Sequence, residues 1–216
     1  MINENDKSMQ VRICLIRHGE TDWNVSCRIQ GQMDIPLNDN GRAQAQALSS
    51  KAGGYQFDRI YSSDLGRACD TARALADRCG LEVRTMQELR ERHFGRFQGL
   101  TAAEAAMRYP QEYVSYKSRD PDINFDTGES LVQFARRVSD ALAALIGRHI
   151  GQTLAVVSHA GVLDVVYRKA TGRALQAPRD FPIPNCALNW LIFDEQGWHI
   201  QTWGDQPPGA MTESAE

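Results

Sequence analysis

The sequence predicts an α/β fold, a three-layer α/β/α arrangement around a mainly parallel central sheet. Two wholly apolar stretches, at residues 13–16 and 154–157, are typical of strands that are buried on both faces. A third stretch, at residues 131–146, repeats apolar side chains with the 3.6-residue period of a helix that packs one face on a core. Strand-like and helix-like segments alternate along most of the chain, which favours parallel strands with helices on both faces.

Local signals predict the elements of the first half of the chain. After the first strand, residues 28–40 form a loop, and Asn38 or Asp39 can cap a helix that passes through residues 43–48. A second helix is expected over residues 65–79, where Gly80 stops it. Short strands that complete the sheet are expected at residues 57–61, 81–86, 189–193 and 198–202.

Two capping boxes open the helices of the second half. They are the T-x-x-E pattern at residues 101–104 and the S-x-x-Q pattern at residues 130–133, and Pro110 interrupts the helix that the first one opens. The polar and aromatic residues that follow predict an insertion at about 101–128, over the end of the sheet. We therefore expect one catalytic domain at residues 10–204, with flexible tails at 1–9 and 205–216.

The composition limits the classes of function. A formal net charge of −3 gives no general basic excess of the kind that binds nucleic acid, and no apolar run approaches the ~20 residues that cross a bilayer. The five cysteines are an odd number without paired spacing, and residues 1–9 lack the apolar centre of a signal peptide. We expect a cytoplasmic protein with reduced, buried thiols, whose partner is a small molecule and neither a nucleic acid nor a membrane.

Each of the two apolar strands ends in a histidine. His18, preceded by Arg17, follows the first strand, and His159 follows the strand at residues 154–157. If the two strands are parallel neighbours, both histidines lie at the same edge of the sheet, where ligands bind in open α/β folds. We therefore expect them to share one site.

An arginine and a carboxylate complete a group that suits phosphoryl transfer. Arg67 lies early in the predicted helix at residues 65–79, near its positive end, and arginine binds phosphate oxygens in pairs. We expect neutral His18 to attack a phosphate that Arg17 holds, and Glu91 to protonate the leaving oxygen. The side chains that flank Glu91, Arg90 and Arg92, would stabilise its carboxylate form unless an extended loop turns them away.

Structural roles compete with these catalytic ones. Arg67 could pair on the helix surface with Asp64 or Asp70, and Glu91 could be a solvated loop carboxylate, with Glu88 as the alternative acid. No H-E-x-x-H pattern or paired Cys/His spacing is present, so no metal site is expected. The residues expected to be structural or on the solvated surface are Trp23, His93, Arg136, Arg137, His149 and His199.

Several short motifs, each weak alone, occur together in a characteristic order. They are residues 15–21 (LIRHGET), 23–24 (WN), 28–31 (RIQG), Asp34, 36–37 (PL), Gly41, 62–63 (SS), 67–68 (RA), 71–72 (TA), 91–95 (ERHFG), Gly99, 128–130 (GES) and 158–159 (SH). In these motifs, over roughly residues 11–193, the chain resembles the histidine phosphatase superfamily, in its phosphoglycerate-mutase-like branch. The resemblance implies that branch's three-layer fold.

The resemblance also implies a role for each matching residue. His18 would be the phosphorylated nucleophile, Glu91 would be the proton donor, and Arg17, Arg67 and His159 would surround the phosphoryl group. The substrate and phosphate site would be lined by Asn24, Gln30, Gly31 and the backbone amide of Ala160. Many members have glycine at position 160, but alanine keeps the N–H group.

The branch contains both phosphatases and mutases. Its mutases carry a lysine and an arginine pair after the glutamate loop, whereas residues 101–126 here have Arg108, Lys117 and Arg119 without an adjacent arginine pair. We therefore expect a metal-independent phosphatase of a small phosphorylated metabolite, without a cofactor. The alternatives are a phosphoglycerate mutase that depends on 2,3-bisphosphoglycerate and a non-catalytic phospho-ligand module. The sequence is compatible with a homo-oligomer, and it does not identify the metabolite.

Overall fold

The first strand, β1 (Val11–Arg17), lies inside the sheet, with a parallel and an antiparallel neighbour. The computed structural model describes residues 10–207. The six strands within them are β1, β2 (Arg59–Ser63), β3 (Val83–Met86), β4 (Thr153–Ser158), β5 (Leu188–Asp194) and β6 (Gly197–Asp205). Their order across the sheet is β3-β2-β4-β1-β5-β6. The first four strands in this order are mutually parallel, and β5 and β6 are antiparallel, which confirms the mainly parallel sheet.

Helices cover both faces of this sheet. Within the described residues they are α1 (Asp22–Val25), α2 (Asp39–Ala52), α3 (Gly66–Cys79), α4 (Ala102–Arg108), α5 (Pro110–Lys117), α6 (Leu131–Arg148) and α7 (Ala160–Thr171). Ile13 and Leu15 of β1 belong to the core cluster with residues of α6 and α7, whereas Cys14 and Ile16 pack with residues of α2 and α3. This alternation along one strand buries both of its faces and produces the predicted three layers.

The register of β1 and β4 determines where the site forms. Arg17 pairs with Ser158, the last residues of the two strands, and the N–H of His18 donates to the carbonyl of Ser158 at 2.9 Å. His18 and His159 therefore leave the sheet at the same level on its carboxyl edge. This is the parallel neighbouring arrangement that the sequence predicted.

Most predicted helix signals are confirmed. Asn38 caps α2, both capping boxes form, and Gly80 adopts the left-handed conformation (φ 65°) that ends α3. Pro110 starts α5, because its fixed φ and missing N–H suit the first turn of a helix. The predicted strand at 57–61 lies two residues later, at Arg59–Ser63. Its last two residues are buried serines, which carry no apolar signal.

The predicted insertion forms a small aromatic core beside the sheet. Phe125 of the insertion and Phe97, just before it, are buried there, 4.7 Å apart between ring centroids. Tyr109, which precedes α5, and Tyr113 and Tyr116 of α5 pack around them. Arg119 ties this unit to α7 through Asp164 at 2.6 Å. Because the aromatic rings supply their own buried surface, the insertion holds its shape next to the carboxyl edge of the sheet.

Some expectations fall at the limits of the described chain. The predicted tail at 1–9, and all but the first three residues of the one at 205–216, lie outside the described residues; Asp205 belongs to β6. Cys27 is exposed, so the expectation that every cysteine is buried was wrong at that position. No helix among residues 10–207 is long and apolar enough to cross a membrane. The cytoplasmic location and the oligomeric state stay predictions.

Candidate active site

Two buried histidines form the centre of the site. The ring centroids of His18 and His159 lie 5.1 Å apart, and both residues are almost wholly shielded from solvent. Nδ1 of His18 lies 2.7 Å from the carbonyl oxygen of Gly19, which can only accept, so the ring proton is on Nδ1. Nε2 of His18 therefore carries the lone pair. It accepts a hydrogen bond from Nε of Arg67 at 3.2 Å.

The surroundings keep His18 neutral. Burial lowers the pKa of His18 well below 6.5, and the charges of Arg67 and Arg17 lower it further. A neutral imidazole can act as a nucleophile, whereas an imidazolium cannot. The same causes, burial first and then Arg67, lower the pKa of His159.

Ser63 holds the second histidine. Its Oγ lies 2.8 Å from Nε2 of His159 and accepts the N–H of Leu65 at 3.3 Å. Nδ1 of His159 is buried and, within the described part of the chain, has no hydrogen-bond partner. This nitrogen therefore keeps an unused hydrogen-bonding capacity next to His18.

Arg67 is a buried residue that joins the first turn of α3 to the loop at 28–37. Besides its contact with His18, its guanidinium donates to the carbonyls of Met33 at 2.7 Å and Gly31 at 2.8 Å. Burial lowers the pKa of Arg67 to about 10, so the side chain stays charged near neutral pH. All three nitrogens are thereby fixed in place around the nucleophile.

The alternative surface role of Arg67 was wrong. Asp64 pairs instead with Arg90 through two contacts of 2.6 Å, and Asp70 pairs with Arg73. Sequence spacing allowed Arg67 to reach either carboxylate, but both point to other partners on the helix surface or in the next loop.

The segment at residues 183–186 supports the nucleophile from the other side, and sequence reasoning missed it. Arg17 donates to the carbonyl of Ile183 at 2.8 Å, and Nδ2 of buried Asn185 donates to the carbonyl of His18 at 2.6 Å. The N–H of Cys186 bonds to the carbonyl of Arg17 at 2.9 Å. Prolines at 182 and 184 indicate a turn here, but they do not indicate what it touches.

Glu91 lies at the N-terminus of α7. Its Oε2 accepts the N–H of Gly161 at 2.9 Å, and Oε1 accepts the N–H of Arg92 at 2.8 Å. A Cβ on residue 161 would lie 2.2 Å from Oε1 of Glu91, so this approach requires glycine. Ala160 begins the helix without a positive φ, so alanine is accommodated there.

The guanidinium groups that flank Glu91 point away from it. Arg90 is bound to Asp64, and buried Arg92 donates to the carbonyls of Glu129 at 2.9 Å and Ile123 at 2.6 Å. The extended loop therefore separates the carboxylate from its basic neighbours.

An open cavity of about 330 Å³ joins these groups. It contains every predicted site residue except His159, which is buried against His18. Its lining consists of Arg17, His18, Asn24, Cys27, Arg28, Ile29, Gln30, Gly31, Arg67, Glu91, Phe94, Tyr116, Ala160 and Arg179. Asn24 uses its amide oxygen to accept from Thr21, which leaves its NH₂ group for a ligand. The aromatic residues of the insertion, Tyr116 among them, were expected to shape the pocket, and Tyr116 does line it; the neighbouring Phe94 was missed.

A second cavity of about 350 Å³ adjoins the first and shares five of its residues, among them Glu91 and Tyr116. The first cavity carries cationic side chains and N–H groups, which are donors suited to an anionic group, and the second extends the open space beyond Glu91. Among residues 10–207, no three His, Cys, Asp or Glu side chains are grouped as metal ligands.

Comparison with known proteins identifies relatives along almost the whole chain. The model of the histidine phosphatase superfamily (branch 1) matches residues 13–206. Phosphoglycerate mutase-like protein 4 of Arabidopsis thaliana is 41% identical over 197 residues, which are 89% of this chain and 84% of that protein. The metal-independent phosphoserine phosphatase of the same plant is 39% identical over 202 residues, 92% of this chain and 83% of that protein.

Solved structures agree with these relatives. The mycobacterial glucosyl-3-phosphoglycerate phosphatase is 31% identical and superposes with a TM-score of 0.81, covering 91% of this chain and all of that one. YhfR of Bacillus stearothermophilus is 27% identical with a TM-score of 0.85, covering 90% of this chain and 97% of that one.

Proposed function

Because the chain belongs to the histidine phosphatase superfamily, as its motifs indicated, we propose that it hydrolyses a small phosphomonoester through a phosphohistidine at His18, without a metal ion. One observation carries this proposal: the lone pair of neutral His18 on Nε2 lies beside the charged guanidinium of Arg67 in an open cavity. A nucleophile and a cation in contact are what an attack on a phosphate requires.

The first half of the reaction forms the phosphoenzyme. Nε2 of His18 attacks phosphorus, the P–N bond forms and the ester P–O bond breaks. Arg17, Arg67 and Nδ1 of His159 stabilise the charge on the three equatorial oxygens, and the NH₂ group of Asn24 adds a neutral donor. Positioning and electrostatic stabilisation supply most of the rate acceleration in such a step.

Glu91 supplies the proton that the leaving alkoxide needs. Its carboxyl form is required, and a bound phosphate dianion favours that form by charge repulsion. In the second half, the Glu91 carboxylate takes a proton from water, the water oxygen bonds to phosphorus, and the P–N bond to His18 breaks. Inorganic phosphate leaves and the starting protonation states return.

Ion pairs in and beside the insertion support hydrolysis over a mutase reaction. A mutase must hold a second anionic group while the phosphoryl group is transferred back. Here Arg119 is paired with Asp164, Arg96 lies 2.9 Å from Asp126, and Arg28 is bound to Glu104 at 2.8 Å. These three cations are already neutralised, whereas Lys117 and Arg179, which line the second cavity, are in no ion pair among the described residues. The mutase remains the alternative, because relatives named probable phosphoglycerate mutase GpmB, such as that of Proteus mirabilis at 35% identity, match over 90% of this chain and 93% of that protein.

Phosphorus NMR in EDTA tests the proposal. The sample holds p-nitrophenyl phosphate and 3-phosphoglycerate with a trace of 2,3-bisphosphoglycerate. Growth of inorganic phosphate is expected, and a quenched sample should contain an acid-labile, base-stable phosphoryl group that His18→Asn lacks. Growth of 2-phosphoglycerate without matching phosphate release would identify a mutase instead, and no turnover of any ester would support a non-catalytic module.

A further inference from the structure

Arg137 of α6 contacts the backbone of the Glu91 loop at three points. One terminal nitrogen donates to the carbonyls of Glu88 at 2.8 Å and Arg90 at 3.0 Å, and the other donates to the carbonyl of Glu91 at 3.2 Å. The expectation that this arginine lies on a solvated helix face was therefore wrong. Its neighbour Arg136 does lie on that face, where it approaches Asp140 at 3.8 Å.

Glu129 fixes the guanidinium of Arg137 in place. Two parallel contacts of 2.7 Å join the carboxylate to Nε and to one terminal nitrogen, the geometry of a two-pronged arginine–carboxylate pair. Burial would raise the pKa of Glu129, but hydrogen bonds from Arg137 and from the N–H of His93 hold it below its ordinary value. The pair is therefore ionised and rigid at neutral pH.

The same pair holds the loop on the other side of Glu91. Oε2 of Glu129 accepts the N–H of His93 at 3.0 Å, and the carbonyl of Glu129 accepts Nε of Arg92 at 2.9 Å. The backbone is thus fixed before and after Glu91, while its carboxylate meets α7 at Gly161. Arg137 lines neither of the two cavities, so it has no access to a substrate.

We infer that Arg137, paired with Glu129, is the positioning residue of the proton donor: its three bonds to carbonyls hold Glu91 within reach of the leaving oxygen. The inference rests on the proposed function, because it needs Glu91 to act as the acid. Its positioning effect falls on the proton delivered to the leaving group. The charge of Arg137 also helps to lower the pKa of His159, and Arg137→Lys keeps that charge. A residue that only stabilises the fold has no such selectivity.

A series of aryl and alkyl phosphates with leaving groups of rising pKa measures that quantity. p-Nitrophenolate leaves without help from an acid, whereas an alkoxide needs the proton. We expect Arg137→Met to lower kcat/KM for an alkyl phosphate about 10²-fold, within the usual range for a general acid, and to lower it only a few-fold (roughly 2–5) for p-nitrophenyl phosphate. The plot of log kcat/KM against leaving-group pKa should become steeper, and we expect the same change for Glu91→Gln.

Arg136→Met is the matched control, since it removes the same side chain one position earlier and leaves the loop untouched. The slope of log kcat/KM against leaving-group pKa should be the same in Arg136→Met as in the wild type. The inference would be overturned if Arg137→Met lowered kcat/KM equally for good and poor leaving groups, or did not lower it at all. Arg137→Lys keeps the charge but cannot reach three carbonyls at once, so it should give an intermediate slope; it replaces Arg137→Met if that variant does not fold.

Two further measurements separate this inference from the proposed function. If Glu91→Gln lowers kcat/KM by the same factor for all substrates, Glu91 is not the acid and the proposed mechanism fails. Hydrogen exchange of the amides at 92 and 93, which bond to Glu91 and Glu129, reports loop position without any turnover. It should rise at least about tenfold in Arg137→Met and stay unchanged in Arg136→Met, as expected for loss of protecting hydrogen bonds. Unchanged exchange in Arg137→Met would overturn the positioning role even in an inactive enzyme.

Discussion

Nε of Arg67 lies 3.2 Å from Nε2 of His18, so a fixed cation touches the lone pair that would attack phosphorus. The other two nitrogens of Arg67 are held by the carbonyls of Gly31 and Met33. Together with burial, the contact with His18 keeps the imidazole neutral, and in the proposed mechanism it places a positive charge where the phosphoryl oxygens would arrive. Arg67 therefore links the state of the nucleophile to the binding of the substrate.

Arg67→Lys tests this contact. Lysine keeps the charge but has one nitrogen, which cannot contact His18 and two carbonyls together. We expect kcat to fall about 10²- to 10³-fold, the usual effect of losing a fixed donor to the transition state. Arg73→Lys is the control, because Arg73 lies on the exposed side of the same helix, paired with Asp70. Steady-state kinetics with p-nitrophenyl phosphate measures both; equal effects would show that the geometry at Arg67 is unimportant.

The lowered pKa of each site histidine predicts a pH-dependent stability. In the unfolded chain these imidazoles titrate near 6.5, but in the folded protein they stay neutral to much lower pH. Below pH 6.5 the unfolded state binds more protons, so the free energy of unfolding falls as the pH falls, by up to about 1.4 kcal/mol per pH unit for each imidazole.

Urea denaturation of the wild type and His18→Asn at pH 7 and pH 5.5 measures this loss. Comparing the two proteins cancels the contribution of the carboxylates. The variant should lose less stability on acidification, and the double variant with His159→Asn should lose still less. Identical pH dependence in all three proteins would contradict the neutral, buried state of these histidines.

Ser63 should determine which nitrogen of His159 carries the proton. Its Oγ already accepts the N–H of Leu65, and among the described residues Nε2 of His159 is the acceptor for its O–H. The proton of His159 then lies on Nδ1, where it can meet a phosphoryl oxygen. Nitrogen NMR of labelled histidine should show the protonated nitrogen of His159 to be Nδ1, and Ser63→Ala should mix the two tautomers and lower kcat about tenfold, less than loss of a whole transition-state donor.

Ser62→Ala is the matched control for that experiment. Ser62 is equally buried and donates its hydroxyl to the carbonyl of Ser63 at 2.8 Å. Ser62→Ala loses one buried hydrogen bond and Ser63→Ala loses two, so the expected costs in the free energy of unfolding are about 1 and about 2 kcal/mol. A tautomer change in Ser62→Ala, or none in Ser63→Ala, would refute the role of Ser63.

Asn185→Ala should lower both stability and kcat, although Asn185 does not line the cavity. The carbonyl of His18 would lose its 2.6 Å bond from Nδ2 and stay buried without that partner, at a cost of about 1–3 kcal/mol in the free energy of unfolding. The nucleophile would also lose its backbone support, so kcat should fall more than KM changes. Chemical denaturation and steady-state kinetics measure the two effects. A lower free energy of unfolding together with a wild-type kcat would mean that Asn185 stabilises the fold and has no role in positioning His18.

The elements and the central pair of histidines were predictable because their signals are local. An apolar strand that ends in a histidine can be recognised from about seven consecutive residues, and β1 and β4 both have this pattern. Gly80 and the capping boxes act over three or four residues. The three-layer arrangement followed from their alternation, and the family motifs supported it.

The contacts that hold the site together could not be predicted, because they join distant parts of the chain. Arg137 has the same local pattern as solvated Arg136, and only the packing of α6 against the Glu91 loop separates them. Asn185 reaches a residue 167 positions earlier. Burial of the polar Ser62 and Ser63 likewise depends on neighbours in the sheet, which hydrophobic periodicity does not report.

The turn at 183–186 also has a consequence for the order in which the protein is made. A ribosome synthesises His18 early, but the strand beside it and the asparagine that holds its carbonyl follow about 135 to 167 residues later. At about 5–20 residues per second, that interval is roughly 7 to 33 seconds. During that time His18 of the nascent chain lacks the groups that hold it in the folded protein. The site can therefore form, and the proposed activity can begin, only after the last of these segments has left the ribosome.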